Sequence, residues 1–182
     1  MKENNEVTET IMSRRSIRKY TNEKIDNECI KKIISVALVA PTSKNSRPWY
    51  FVIVDDAVTI ERLSQCKKNG ALALGTCSHA IVVMADPFKS EAWIEDTSIA
   101  ASYIQLAAED LGLGSCWIQI RERMYDENTT AAEYVRDILS IPENIEIECI
   151  ITLGHKNEER KAYDPKKTMW NRVSFNTWNI EE

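Results

Sequence analysis

The stretch Ala40–Val54, "APTSKNSRPWYFVIV", decides how the rest of the chain is read. Two prolines, Pro41 and Pro48, bracket a polar loop. Six apolar residues follow without interruption, and this aromatic and β-branched run predicts a strand bounded by a turn-rich connection. The run before the loop has a different period. Ile30, Ile33, Ile34, Ala37 and Leu38 recur at helical spacing, with Asp26 placed to cap them, so a helix is expected up to about Val39, where Pro41 ends it.

Outward from this stretch the same alternation continues. A short helix is expected from about Asn5 to Arg14 and a third helix over about Ala57–Gln65. The strand "AIVVMA" follows, then the longest helix within "SEAWIEDTSIAASYIQLAAEDLGLG", which Gly112 and Gly114 stop. A strand "CWIQI", a helix from about Thr129 to Leu139 and a last strand "IECIITLG" complete the pattern. Short strands separated by helices suggest an α/β-type domain with helices on both faces of one sheet. The tail from His155 onward has little period but carries Trp170, Phe175 and Trp178, so it is expected to pack on something, such as a partner subunit.

The chain has 182 residues, 43% hydrophobic and 28% charged, which suits a single domain spanning 1–182 with a core of its own. The five cysteines include no C-x-x-C pair, and reduced thiols are expected. The start "MKENNEVTETIM" has no apolar leader region, and no apolar run approaches the roughly 20 residues of a membrane span. A cytoplasmic protein with no membrane partner is therefore the expectation.

The formal net charge is −5, yet "SRRSIRKY" (Ser13–Tyr20) concentrates four cations. Arg14, Arg15 and Arg18 with Ser16 would make a phosphate grip, because guanidinium groups fork onto phosphate oxygens. The same residues would also serve as a solvated helix end, a kinase site or a nucleic-acid patch; the acidic balance weighs against nucleic acid. A second basic cluster, Lys156, Arg160, Lys161, Lys166 and Lys167, could close on the same anion. Thr42, Ser43 and Asn45 suit the polar edge of a planar heterocycle, or simply cap and turn the chain. Gly112 and Gly114 would let backbone approach a flat ligand, or cap a helix. With two histidines and no nucleophile elbow, zinc-protease or Walker A motif, the chemistry would need a cofactor.

Taken together and in order, "RRSIRKY", "APTSKNSRPWYFVIV", "LGLGSCWIQIRER" and "IITLGHKNEERKAYDPKK" resemble the nitroreductase family of FMN-dependent reductases, from about residue 6 onward. The resemblance implies an α+β fold with a central, mostly antiparallel sheet flanked by helices. It also implies a homodimer with exchanged ends and two FMN sites at the interface. Arg14, Arg15, Ser16 and Arg18 match the arm that holds the FMN phosphate and ring edge. Pro41, Thr42, Ser43 and Asn45 match the loop reaching FMN from the other subunit. Asn69 lies near a family asparagine. Trp117, Ile118 and Gln119 match the strand whose backbone faces the flavin. Lys161, Lys166 and Lys167 lie where the family places a basic residue on the phosphate.

The implied activity is hydride transfer from NADH or NADPH, through flavin N5, to a flat small-molecule acceptor such as a nitroaromatic or quinone. FMN storage, dehalogenation, enone reduction and flavin fragmentation are the alternatives on this scaffold. Two features depart from the family: Arg47 stands where it usually has glutamine, which would favour anionic acceptors, and the insertion that longer members place over the flavin is missing.

Overall fold

The computed structural model describes residues 6–178; Asn5 and residues 179–182 of the tail fall outside them. Four strands form one antiparallel sheet in the order β1-β2-β4-β3, with β1 Trp49–Val54, β2 His79–Ala85, β3 Gly114–Gln119 and β4 Glu146–Gly154. Five helices surround it: α1 Glu6–Ser13, α2 Asn27–Ala37, α3 Ala57–Ser64, α4 Trp93–Asp110 and α5 Ala131–Leu139. The expected elements all form, within a few residues of their expected ends. None of the described helices is long and apolar enough to cross a membrane.

Strand alternation sorts the core into two layers. Ile81, Val83, Cys149, Ile151 and Leu153 point to one face, where α2 and α4 cover them with Ile30, Ile33, Ala37, Ala101, Ile104 and Ala108. Ala80, Val82, Met84, Cys116, Ile118 and Ile150 point to the other, under Ile60 and Leu63 of α3 and Ala131 and Val135 of α5. β2 is buried at every position, which is why "AIVVMA" reads as a continuous apolar run. Asp26 accepts the Glu28 N–H and caps α2, and Thr130 and Glu133 form a capping box on α5.

The segment Arg14–Tyr20 is not a helix end. It leaves α1 extended and docks on the outer edge of β3. Ile17 N–H donates to Ser115 O at 2.9 Å, and Ser16 bridges Ser115 in parallel. Thr21 N–H donates to His155 O and Asn157 N–H to Lys19 O, tying the same segment to the chain that leaves β4. Two glycines make room for it. A methyl group on Gly114 would lie 2.8 Å from Ile17 Cγ2, and one on Gly154 would lie 2.7 Å from the Tyr20 ring. The Tyr20 hydroxyl is buried and bonded to Ile17 O at 2.6 Å and Thr152 Oγ1 at 2.7 Å; burial raises its pKa. Gly112, at φ 75°, turns the chain off α4, and Leu113 N–H reaches back to Ala108 O at 2.8 Å. Of the two glycines read as helix stops, only Gly112 acts as one. Gly114 opens β3, and it admits Ile17 rather than a ligand.

Glu158 closes the junction. Its carboxylate accepts the Arg18 N–H and pairs with Arg160 at 2.8 Å, and these contacts, the Arg18 amide first, hold its pKa below the usual glutamate range.

Two outcomes are expected. Gly114→Ala and Gly154→Ala should each destabilise the fold by about 1–3 kcal/mol, from overpacking against Ile17 and Tyr20, read from urea midpoints. Because the folded pKa of Glu158 is depressed, its stabilisation is complete above its unfolded pKa and disappears as pH falls through the folded one. Glu158→Gln should therefore be about 1 kcal/mol less stable than wild type at pH 7, and the gap should close as pH falls through the folded pKa of Glu158. A gap that does not narrow in acid would remove the charge from this account.

Candidate functional site

Docking of the arm fixes where its guanidinium groups go. Arg14, Arg15, Ser16 and Arg18 line a cavity of about 260 Å³, and Arg160 from the chain after β4 joins them. Among the described residues, no carboxylate lies within 4.0 Å of the side-chain nitrogens of Arg14, Arg15 or Arg18; Arg160 alone of the four has such a partner, Glu158. Four guanidinium groups around so small a space repel one another unless an anion joins them. A phosphate, with several acceptor oxygens for forked donors, fits this set.

A larger cavity of about 860 Å³ adjoins this region. It is lined by Ser13, Arg15, Ile17, Glu109 and the stretch Lys156–Ala162. The expected second basic cluster divides here. Lys161 lines this cavity together with Arg15. Lys156 also lines it, but its ammonium is held by both oxygens of Glu109, at 3.0 and 2.9 Å. Lys166 and Lys167 sit in a separate exposed turn, Pro165–Lys167.

β3 runs along the edge of the sheet beyond the arm. Ser115 engages the arm on the outward side, and Gln119 O accepts the Lys67 ammonium at 2.8 Å. By strand alternation the main chain of Trp117 faces outward with them, whereas that of Ile118 faces β4. The side chains of Trp117 and Gln119 share one face and are joined by Trp117 Nε1–H to Gln119 Oε1 at 2.8 Å; Ile118 is buried in the opposite layer. Gln119 also donates toward Glu148, a buried carboxylate paired with Arg121 Nε at 2.7 Å.

Lys67 was not singled out from sequence. In "KKNG" nothing distinguishes the lysine that turns inward from the one that does not. Its ammonium rests against the end of β3, and burial lowers its pKa. Asn69 is exposed in the next turn and lines a cavity of about 680 Å³ with Lys67, Tyr125 and Tyr134.

The loop with Pro41, Thr42, Ser43 and Asn45 lies elsewhere. It enters β1 at Trp49, which pairs with Ala85, whereas the arm meets β3 at Ser115, which pairs with Leu153 and, through it, His79. These are opposite edges and opposite ends of the sheet. Three strand spacings and about six residues of rise separate them by roughly 25 Å. One chain therefore does not bring the arm and this loop together. Arg47 belongs to the loop. It is exposed at φ 48°, and its Nε–H donates to Asn45 Oδ1 at 3.1 Å.

Four of the five thiols are poor nucleophiles at neutral pH. Burial pushes Cys66 up to about 11 and Cys77 up to about 12, and raises Cys116 and Cys149. His79 is buried, and its pKa is lowered by that burial.

Comparison with known proteins identifies the family and the fold. The family model described as the Nitroreductase family matches residues 11–94 and 71–155. A protein from Archaeoglobus fulgidus, named as a candidate NADH dehydrogenase/NAD(P)H nitroreductase, is 37% identical over 163 residues, covering 87% of this chain and 90% of its own. The solved structure of an FMN-dependent nitroreductase from Clostridium difficile R20291 superposes with a TM-score of 0.91 at 48% identity, covering 93% of this chain and 98% of that one. The NADPH:FMN oxidoreductase of Vibrio harveyi, solved with NAD+, superposes at 0.81 with 25% identity, over 98% of this chain and 80% of that one. The match runs from the arginine arm through the last strand of the sheet, and this chain belongs to the nitroreductase family.

Proposed function

We propose that this protein is a cytoplasmic, FMN-dependent oxidoreductase that takes hydride from NADH or NADPH and passes it to a flat acceptor such as a nitroaromatic or quinone. The observation that carries the reading is the carboxylate-poor cavity of Arg14, Arg15, Ser16, Arg18 and Arg160, which opens beside the outer edge of β3. FMN, when bound, supplies the hydride-accepting and hydride-donating centre. The chain binds and tunes it. The arm would hold the phosphate, with Lys161 the best placed of the three candidate lysines. The outward main chain of Trp117 and Gln119 offers hydrogen-bonding groups along β3. Lys67 supplies a cation at the end of that strand, suited to negative charge on the pyrimidine side of the ring. Asn69 is a neighbouring polar contact. Cys66, Cys77, Cys116 and Cys149, with raised pKa values, and the buried His79 are poorly suited to chemistry of their own, so the reading assigns the electron transfer to the bound cofactor.

The reading includes a homodimer. The loop with Pro41, Thr42, Ser43 and Asn45 lies too far from the arm of its own chain to share one ligand with it, so its contribution falls to the site of a second copy. The tail supports the same assembly. Trp170, Phe175 and Trp178 are 67%, 74% and 80% exposed, more apolar surface than a chain leaves to water without a partner. The partner in turn presents the unpaired edge of β1 and the exposed Val7 and Ile11 of α1. The acceptor range stays broad, because the site has no covering insertion, and Arg47 biases it toward anionic compounds.

A second reading, FMN storage, shares the binding groups and differs in redox behaviour. The purified protein should carry flavin absorption that bleaches on anaerobic addition of NADH or NADPH and recovers with a nitroaromatic or quinone. Bound flavin that neither reductant bleaches would favour storage, and failure to bind FMN at all would overturn both. Arg18→Ala should weaken FMN binding about 10- to 100-fold, the loss of one charge-assisted contact of about 1.5–3 kcal/mol. Full flavin content in that variant would remove Arg18 from the phosphate site.

A further inference from the structure

Among the described residues Asp96 is the most deeply buried carboxylate, with 2% of its surface exposed, and its side-chain partners lie outside its own helix. It stands in the first turn of α4, where an acidic residue would ordinarily serve the helix's own free N–H groups. Instead Oδ1 accepts the backbone N–H of Ser43 at 2.8 Å, fifty-three residues earlier in the chain. Oδ2 accepts the hydroxyls of Ser90 at 2.8 Å and Ser46 at 3.5 Å. Three donors converge on one carboxylate, which is what a buried charge requires.

The loop it holds is strained. Lys44, Asn45 and Arg47 lie at φ 52°, 56° and 48°, left-handed conformations that L side chains rarely adopt. Thr42 Oγ1 accepts the Arg47 N–H at 3.1 Å within the loop, and Ala40 and Trp49 pack on Ala100 of α4 at its two ends. Such strain persists where the surroundings over-determine it, and it gathers at functional sites. Among the described residues, the Asp96 hydrogen bonds and the exposed Lys44–Glu91 pair are the polar contacts that tie residues 43–46 to the body of the domain.

We propose that Asp96 is a positioning residue for flavin binding: it clamps the 43–47 loop in its left-handed turn so that Thr42, Ser43 and Asn45 present their polar atoms to FMN in the partner protomer's site. Asp96 does not touch the ligand; it acts only through the loop. The inference rests on the proposed function, and specifically on the loop serving the second copy's site.

The test compares Asp96→Ala, Asp96→Asn and Asn45→Ala with wild-type holoprotein. FMN release on dilution is followed by the recovery of free-flavin fluorescence, the dimer by sedimentation, and the loop by hydrogen exchange of a peptide spanning 42–47. Asp96→Ala should remain a folded dimer, exchange faster over 42–47 and bind FMN at least about tenfold more weakly, the effect of losing contacts worth about one hydrogen bond to a charge. Asp96→Asn, which keeps one acceptor for the Ser43 N–H, should fall between; it decides the matter if Asp96→Ala does not fold. A lowered melting temperature with FMN release within about twofold of wild type would reduce Asp96 to a structural residue and overturn the inference. If Asn45→Ala weakens FMN while both Asp96 variants do not, the inference alone fails. Unchanged FMN binding in Asn45→Ala as well would remove the loop from the site, and the inference with it. A wild-type protein that binds no FMN would instead bring down the proposed function.

Discussion

The close approach of Ile17 and Tyr20 to Gly114 and Gly154 is the contact on which the rest depends. It costs two side chains at the paired positions Gly114 of β3 and Gly154 of β4, and in return an extended segment lies against the ends of both strands. Everything polar in the arm follows from that apolar seat. With Ile17 buried, its neighbours Ser16 and Arg18 must face away from the core, and Arg14 and Arg15 are carried to the same rim. The Tyr20 hydroxyl, shut off from water, finds Ile17 O and Thr152 Oγ1, so the inward face leaves no polar atom unpaired and the outward face keeps all of its charge.

This separation explains how a chain of net charge −5 holds a strongly cationic pocket. Some lysines and arginines elsewhere are paired: Lys31 with Glu28, Lys44 with Glu91, Arg121 with Glu148 and Lys156 with Glu109. Among the described residues the side chains of Arg14, Arg15 and Arg18 have no such partner, and Glu158 engages the arm through a backbone amide. Exposed pairs of this kind add little stability. What sets the arm apart is the gathering of its guanidinium groups around one small cavity, which suits an anionic ligand.

Much of this was legible in the sequence because it rests on local rules. Periodicity and caps delimit the helices, and β-branched runs delimit the strands; both depend on neighbours a few residues apart. The arginine arm was legible as a charge inversion. What was not legible depends on distant contacts. "RRSIRKY" follows a helix and reads equally as its basic end; only the bond from Ile17 to Ser115 makes it an edge segment. Gly114 looks like a second helix stop, yet its lack of a side chain answers to Ile17, ninety-seven positions away. Lys67 and Lys68 are indistinguishable in sequence, and the direction of a side chain at the end of α3 is set by how that helix packs. The polar loop after Pro41 was recognised, but its distance from the arm is a property of sheet order, which no local pattern encodes.

The bond between Arg18 and Glu158 joins residues 140 positions apart. Contacts of such long range close large loops, at an entropic cost that local contacts do not carry. During synthesis the arm emerges early and has no seat until β3 and β4 have been made and paired. β4 lies inside the sheet and gives Ile150 to one core layer and Cys149, Ile151 and Leu153 to the other, so a nascent chain stalled before it would lack the middle of its core. It would also lack Arg160, and the small cavity of Arg14, Arg15, Arg18 and Arg160 is complete only in a chain made past its last strand.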